Sequence, residues 1–184
     1  NGDGIIDLND RTFIGNPNPD FIYGFNFNIN YKRFNASILF NGVFGNEIAN
    51  GNLLQLENAE GLTYLNIAPD AYYNAWRPDA QTNTYPRIGY TTNGQPAMTD
   101  RIIEDGSYLR LSNLTVSYDF DVNKNDSISN LKLFIAGQNL LTWTDYSGYD
   151  PEISSFLYNG LINGVDWNGR ANARTFILGL NVGF

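Results

Sequence analysis

The residues best suited to bind a metal ion lie at the start of the chain. Their side-chain and carbonyl oxygens follow the spacing of the later positions of an EF-hand-like calcium loop, in which Gly4 would supply the sharp turn. Asp10 stands where such loops carry the longer Glu, and no apolar helix flanks the segment. The pattern therefore predicts either a possible Ca²⁺ site or an Asx- and Gly-rich turn. The residues concerned are Asn1, Asp3, Ile5 (through its carbonyl), Asp7 and Asp10.

A second group of residues has the side chains that bind sugars. Tyr and Trp rings stack on the apolar faces of sugar rings, and neighbouring Asp and Asn side chains bond to hydroxyl groups. Three interpretations stay open for these aromatic residues: contact with a substrate or partner, packing within loops, or an interfacial girdle at the rim of a membrane barrel. They are Trp76, Trp143, Tyr146, Tyr149 and Trp167.

The composition excludes most catalytic machinery from this chain. His and Cys are both absent, which removes the usual general base, the thiol nucleophile and the thiolate zinc site. Two acidic pairs, Glu104 with Asp105 and Asp150 with Glu152, suggest glycosidase chemistry only if they are held at a defined separation. With 19 acidic and 11 basic residues the net charge is −8, which repels a phosphate backbone. We therefore expect no enzyme activity and no nucleic-acid partner.

Long amphipathic strands are the elements that would position these residues. Between 21 and 31 every odd residue is apolar or aromatic, whereas the even residues are mostly Asn or Gly. The same alternation at 34–44 completes a hairpin at 21–44, and a second hairpin is predicted at 107–142. A change of phase near Ser112 and Asn113 indicates a β-bulge. Eleven residues suit a tilted outer-membrane strand better than an ordinary sheet, whose strands average ~5–6 residues.

A final strand at 174–184 carries five apolar residues on one face. A strand that ends on an aromatic residue in this way looks like the signal by which outer-membrane barrels are recognised for insertion. The predicted assembly signal consists of Phe176, Leu178, Leu180, Val182 and Phe184.

Long and short connections alternate along the chain. Short turns separate the strands of each hairpin, whereas the long segments 1–20, 45–106 and 143–173 are predicted as extracellular loops. Within the second of these, residues 70–76 could form one or two helical turns. Arg110 and Lys132 fall inside strands, so we expect their charges to face a water-filled lumen. The chain contains no run of ~18 apolar residues, so no transmembrane helix is predicted.

Several strings in the chain resemble the SusC/RagA family of TonB-dependent outer-membrane transporters. They are NGDGIID at 1–7, IGNPNP at 14–19, FIYGF at 21–25, EDGSYLRL at 104–111, GQNLLTWTDYSGYDPE at 137–152 and ARTFILGLNVGF at 173–184. The resemblance implies a barrel of about 22 strands with an N-terminal plug, of which this chain would be the last five strands. It also implies a SusD-like lipoprotein partner, energy from TonB through the N-terminal region missing here, and a glycan or peptide substrate.

These observations favour an all-β protein, an antiparallel transmembrane β-barrel in the outer membrane of a Gram-negative bacterium, in contact with outer-membrane lipid. The expected function is import of a large nutrient. The alternative is a soluble, calcium-stabilised β-sandwich that binds carbohydrate. A barrel enzyme is a third possibility, which the absence of His disfavours.

Overall fold

The alternation of apolar and polar residues produces a five-stranded antiparallel sheet. In the computed structural model, the residues described are 11–57, 66–82, 84–88, 99–122, 128–152, 154–156 and 162–184. The sheet has the strand order β1-β2-β5-β6-β8. In chain order the elements are β1 (Phe21–Tyr31), β2 (Phe34–Phe44), β3 (Glu47–Asn50), α1 (Gly51–Leu56), α2 (Pro69–Tyr73), a 3₁₀ turn (Asp100–Ile102), β4 (Ile103–Asp105), β5 (Tyr108–Asp119), β6 (Asn130–Thr144), β7 (Val165–Asp166) and β8 (Thr175–Gly183).

The register places most of the apolar residues of all five strands on one face of the sheet. Because side chains alternate between the faces of a strand, paired residues lie on the same face. Val116 of β5 pairs with Ile135 of β6, and Ile135 in turn pairs with Leu178 of β8. Many of its side chains are exposed, above all on the outer strands β1 and β8, and Leu178 is 72% exposed. The opposite face is mostly polar, as in the pairing of Asn35 with Ser117. This two-faced sheet confirms the predicted fold class, an all-β antiparallel barrel segment.

Aromatic side chains with a polar end occur at both ends of the apolar face. At one end, consecutive strands place Tyr23, Gly42, Leu109 and Trp143 in one row. At the other end, the row consists of Tyr31, Phe34, Tyr118 and Leu133. Tyr and Trp prefer the two interfaces of a bilayer, because one part of the ring is apolar and the other bonds to water. The two rows therefore have the composition of membrane girdles.

The predicted β-bulge is confirmed in β5. The register of β5 shifts between Leu111 and Asn113 relative to β6, and β2 shifts at the same level, between Leu39 and Phe40. Ser112 is the extra residue, so Leu111 and Leu114 share the apolar face although they are three positions apart. The bulge explains why the apolar phase changes in the sequence.

One glycine of the sheet leaves room for an aromatic ring on the neighbouring strand. Gly179 of β8 pairs with Phe134 of β6 on the polar face. A Cβ atom built on Gly179 would lie 2.2 Å from Cζ of the Phe134 ring, which is far below van der Waals contact. The ring lies over the bare glycine backbone and fills the space that a side chain would take.

Substitution of this glycine is expected to impair barrel assembly. Gly179→Val puts a branched side chain against the Phe134 ring, and overpacking of this kind costs about 1–3 kcal/mol. We expect a smaller folded fraction of the full-length protein, measured by the heat-dependent shift of its band on gels. The double variant Gly179→Val/Phe134→Ala should recover much of the loss. If the double variant is no better than the single one, the contact is unimportant.

The residues outside the sheet form a second compact unit. The chain divides into a loop unit, Asn1–Pro17, Glu47–Glu104 and Ile153–Gly169, and a sheet unit, Asn18–Asn46, Asp105–Glu152 and Arg170–Phe184. The loop unit has a small core that includes Ile48, Ala71, Ala75 and Ile102. Its strands β4, β3 and β7 form a three-stranded sheet in which β3 and β7 run parallel.

The long connections contain more regular structure than the sequence predicted. Segment 45–106 includes β3, α1 and β4 as well as the expected helical turn, which is α2. Pro69 begins α2, and the backbone N–H of Asn74 bonds to the Asp70 carbonyl at its end. β6 extends to Thr144, two residues past the predicted boundary. Among the described residues, no helix is long and apolar enough to cross a membrane.

Candidate functional site

Arg110 anchors a cluster of polar residues on the polar face of the sheet. It lies on β5 opposite Thr142 of β6 and is only 2% exposed. Its Nε donates to Thr142 Oγ1 at 3.0 Å, and its two terminal nitrogens donate to the carboxylates of Asp150 and Glu152, the latter at 2.6 Å. We call these residues the Arg110 clamp, because they join the connection after β6 to the sheet.

The carboxylate of Asp150 is fully compensated within this clamp. Asp150 is 4% exposed and, besides Arg110, accepts hydrogen bonds from the backbone N–H groups of Glu152 at 3.0 Å and Asn172 at 3.1 Å. A buried carboxylate is stable only with such partners. Asp150 and Glu152 therefore share one guanidinium rather than standing as the free acid and base of a glycosidase.

The other acidic pair is also unsuited to paired catalysis. Glu104 and Asp105 are consecutive residues of β4, so their side chains point to opposite faces of the strand. Asp105 accepts a hydrogen bond from the backbone N–H of Ser107 at 2.8 Å. Its local role is to support the turn into β5.

A polar cavity of about 270 Å³ lies next to the Arg110 clamp. It opens where β8 separates from β6, because their pairing ends at Gln138 and Thr175. Asn139 follows with a positive φ of 52° and donates from Nδ2 to the carbonyl of Ala173 at 3.1 Å. We call this space the clamp cavity. Its lining consists of Arg110, Asn139, Thr142, Tyr149, Asp150, Ala171, Asn172 and Arg174.

Three of the five aromatic candidates belong to the sheet unit. Trp143 lies in β6 on the apolar face, half exposed, with its ring centroid 6.5 Å from that of Phe40. It is a strand residue rather than a loop residue, and its position is that of a girdle. Tyr146 is buried, and its ring packs against Gly148. Only Tyr149, 82% exposed, lines the clamp cavity.

The remaining two aromatic candidates belong to the loop unit. The backbone N–H of Trp76 bonds to the carbonyl of Tyr85 at 3.1 Å. The Trp167 ring lies over Gly51, where a Cβ atom would come within 2.2 Å of it, and its backbone N–H bonds to Ser155 Oγ at 2.6 Å. The Trp167 ring therefore packs within the loop unit, whereas the contact found for Trp76 is through its backbone.

Tyr85 organises a polar network within the loop unit. Its hydroxyl donates to Asp70 at 2.7 Å and lies 3.3 Å from a carboxylate oxygen of Glu57, and Arg101 pairs with Glu57 at 2.9 Å. The hydrogen bond to Asp70 raises the pKa of Tyr85 to about 12, and burial and the Glu57 charge add to the effect. Tyr85 therefore remains a neutral donor at physiological pH. The network links α1, α2 and the 3₁₀ turn.

The predicted calcium ligands, Asn1 to Asp10, lie outside the described residues. Within the described part of the chain, no group of three acidic side chains is arranged to hold a metal ion. The calcium loop stays a prediction of the sequence.

Sequence reasoning missed most of the clamp cavity. From the sequence, Tyr149 is a candidate because of its ring and Arg110 only as a lumen-facing charge, whereas Asn139, Asn172 and Arg174 are not candidates. The sequence feature that could indicate this cavity is the polar pair Gln138 and Asn139, which interrupts an otherwise apolar strand. An interruption of that kind marks a place where a strand stops pairing with its neighbour.

Comparison with known proteins finds similarity to TonB-dependent receptors. No protein-family model matches it. Over its full length it is 38% identical to TonB-dependent receptor P3 of Formosa agariphila, of which it spans 18%, and 28% identical to TonB-dependent receptor SusC of Bacteroides thetaiotaomicron, of which it spans 17%. The chain thus spans less than a fifth of the length of these two relatives.

A solved structure has the same fold. The RagAB peptide importer in its closed-closed state superposes with a TM-score of 0.78 and 26% sequence identity, over 91% of this chain and 17% of that chain. The open-open state gives the same values. The match in sequence and the match in fold agree on one group of proteins.

Proposed function

We propose that this chain, which is SusC/RagA-like in sequence and in fold, provides barrel wall and surface loops of an outer-membrane importer. The cargo is a large nutrient, an oligosaccharide or a peptide, and the importer works with a SusD-like lipoprotein. Energy comes from TonB through a region of the protein outside this chain. The chain carries out no covalent chemistry, consistent with its lack of His and Cys and with the compensated state of Asp150 and Glu152.

The observation that carries this proposal is the uncovered apolar face of the sheet. Five strands of 9 to 15 residues present Phe, Leu, Ile and Val outward, with Tyr at both ends and Trp143 at one. A transmembrane barrel strand needs about 9–11 residues. Lipid is the environment in which such a face is stable without a second layer of protein.

A soluble carbohydrate-binding sandwich would pack this face against a second sheet. In the described residues, the only other sheet is the small β4-β3-β7 sheet of the loop unit, and the large apolar side chains of β1 and β8 remain exposed. Water contact over so large an apolar surface is unfavourable. The barrel is therefore the better interpretation.

We propose a separate role for each of the two units. The polar face of the sheet faces the lumen through which cargo passes, and the loop unit provides surface for the lipoprotein and cargo. A calcium ion bound by Asn1, Asp3, Ile5, Asp7 and Asp10 would stabilise one of the surface loops, since these ligands are the hard oxygens that Ca²⁺ prefers.

Deletion of the gene for the full-length protein is expected to abolish growth on one class of cargo. Growth would be compared on oligosaccharides and on peptides as sole nutrient, with growth on free glucose and amino acids as the control. Loss of TonB should have the same effect, and the protein should fractionate with the outer membrane. Recovery of the protein from the soluble periplasmic fraction, with unchanged growth on both classes, would contradict the proposal.

A further inference from the structure

The clamp cavity contains polar groups that no described residue satisfies. Arg174 lines the cavity, yet its guanidinium forms no ion pair or side-chain hydrogen bond within the described part of the chain. The Tyr149 hydroxyl likewise has no partner there, and the residue is 82% exposed. Asn139 also lines the cavity; its Nδ2 donates to the Ala173 carbonyl, and no described residue donates to its Oδ1.

Only one of the two guanidinium groups that line the cavity is already paired. The lining carries Arg110, Arg174 and the carboxylate of Asp150, and the Glu152 carboxylate lies 2.6 Å from Arg110. Arg110 bonds both carboxylates. Arg174 is therefore the positive charge left for a ligand, and guanidinium groups bind carboxylates through paired hydrogen bonds.

We propose that the clamp cavity is a cargo subsite that binds one carboxylate-bearing sugar residue of an oligosaccharide. This inference rests on the proposed function, since it names the cargo that the importer takes. The sugar carboxylate bonds to Arg174, the apolar face of the ring stacks on Tyr149, and a hydroxyl donates to Asn139 Oδ1. The volume of about 270 Å³ is just below the ~300 Å³ of small ligand pockets, so it suits one residue of a longer chain.

The lining favours a sugar over a peptide. Peptides in extended conformation are bound mainly through backbone hydrogen bonds to a free strand edge. The free groups in the clamp cavity are instead a guanidinium, an aromatic ring and an amide oxygen of side chains, which match the carboxylate, the C–H face and the hydroxyl of an acidic sugar. The rigid wall is provided by Arg110 and Asp150, which are almost fully buried.

Binding to the full-length transporter in detergent would test the subsite. The probes are tetrasaccharides that contain glucuronate or galacturonate, a neutral glucose tetrasaccharide and a Glu-containing tetrapeptide, and the measurement is isothermal titration calorimetry. Arg174→Gln should weaken binding of the acidic tetrasaccharides about tenfold, the value of one charge-assisted bond, and leave the neutral probe unchanged. Tyr149→Ala should weaken both kinds of sugar.

Arg170→Gln is the matched control, because Arg170 is an exposed residue of the same connection that does not line the cavity. It should leave binding of every probe unchanged. Equal effects of Arg170→Gln and Arg174→Gln, no preference of the unaltered protein for the acidic tetrasaccharides, or stronger binding of the tetrapeptide would each overturn the subsite. None of these results would affect TonB-dependent uptake as such, so the subsite and the import function can fail separately.

Discussion

Replacement of Arg110 by Met is expected to destabilise the barrel more than the loss of any other ion pair in the described chain. The variant leaves Asp150, 4% exposed, as a buried carboxylate without its cation. Removal of one partner from a buried pair costs about 3–5 kcal/mol. We expect a lower temperature for loss of the folded, heat-modifiable band of the full-length protein, and faster proteolysis of the connection at 145–174.

Two further variants make this prediction specific. Lys132→Met removes an ion pair to Asp119 whose side chains are 37% and 38% exposed, so its cost should be only ~0–1 kcal/mol. The double variant Arg110→Met/Asp150→Leu removes both buried charges and should be more stable than Arg110→Met alone. If Arg110→Met and Lys132→Met shift the transition equally, the Arg110 clamp has no special structural role.

An arginine on the apolar face of β8 is expected to block assembly, whereas an arginine at the adjacent residue is tolerated. Leu178 lies mid-strand on the apolar face, and Ile177 lies on the polar face, paired with Ala136. At the bilayer midplane, arginine facing lipid costs about 2–4 kcal/mol. The amount of folded protein in outer-membrane fractions should therefore fall for Leu178→Arg and remain close to normal for Ile177→Arg.

The comparison is well matched, because both changes replace an aliphatic residue by arginine one position apart in the same strand. The same amounts of folded protein for the two variants would mean that β8 does not separate lipid from lumen. A larger loss for Ile177→Arg would reverse the assigned faces.

The sheet could be predicted because its information is local. A period of two over eleven residues, as in β1, predicts both an extended strand and which of its two faces is apolar. The phase change at Ser112 predicts the bulge. These features need no knowledge of distant residues. Because the pattern is local, the fold class could be predicted correctly, and the structure confirms it.

The loop unit and the clamp cavity could not be predicted in the same way. β3 is four residues long and β7 is two, and their parallel pairing joins Ala49 to Val165, which are far apart in sequence. Strands this short have no measurable period. Arg110 and Asp150 are likewise separated by forty residues, so only the folded chain reveals that the two charges meet.

Trp143 illustrates a different limit. The sequence pattern predicts it as the first residue of the loop 143–173, and element boundaries are the least certain part of a pattern. The pairing of Trp143 with Leu109 decides in favour of the strand.

The most direct test of the central claim is the environment of alternate residues in β1. The chain has no native cysteine, so single cysteines at Phe25, Asn26, Phe27 and Asn28 can be spin-labelled in a cysteine-free full-length protein in lipid bilayers. We predict that collisions with oxygen, which concentrates in lipid, are frequent at positions 25 and 27. Collisions with a water-soluble nickel reagent should be frequent at positions 26 and 28. Uniform access of the nickel reagent to all four positions would contradict a membrane-facing sheet.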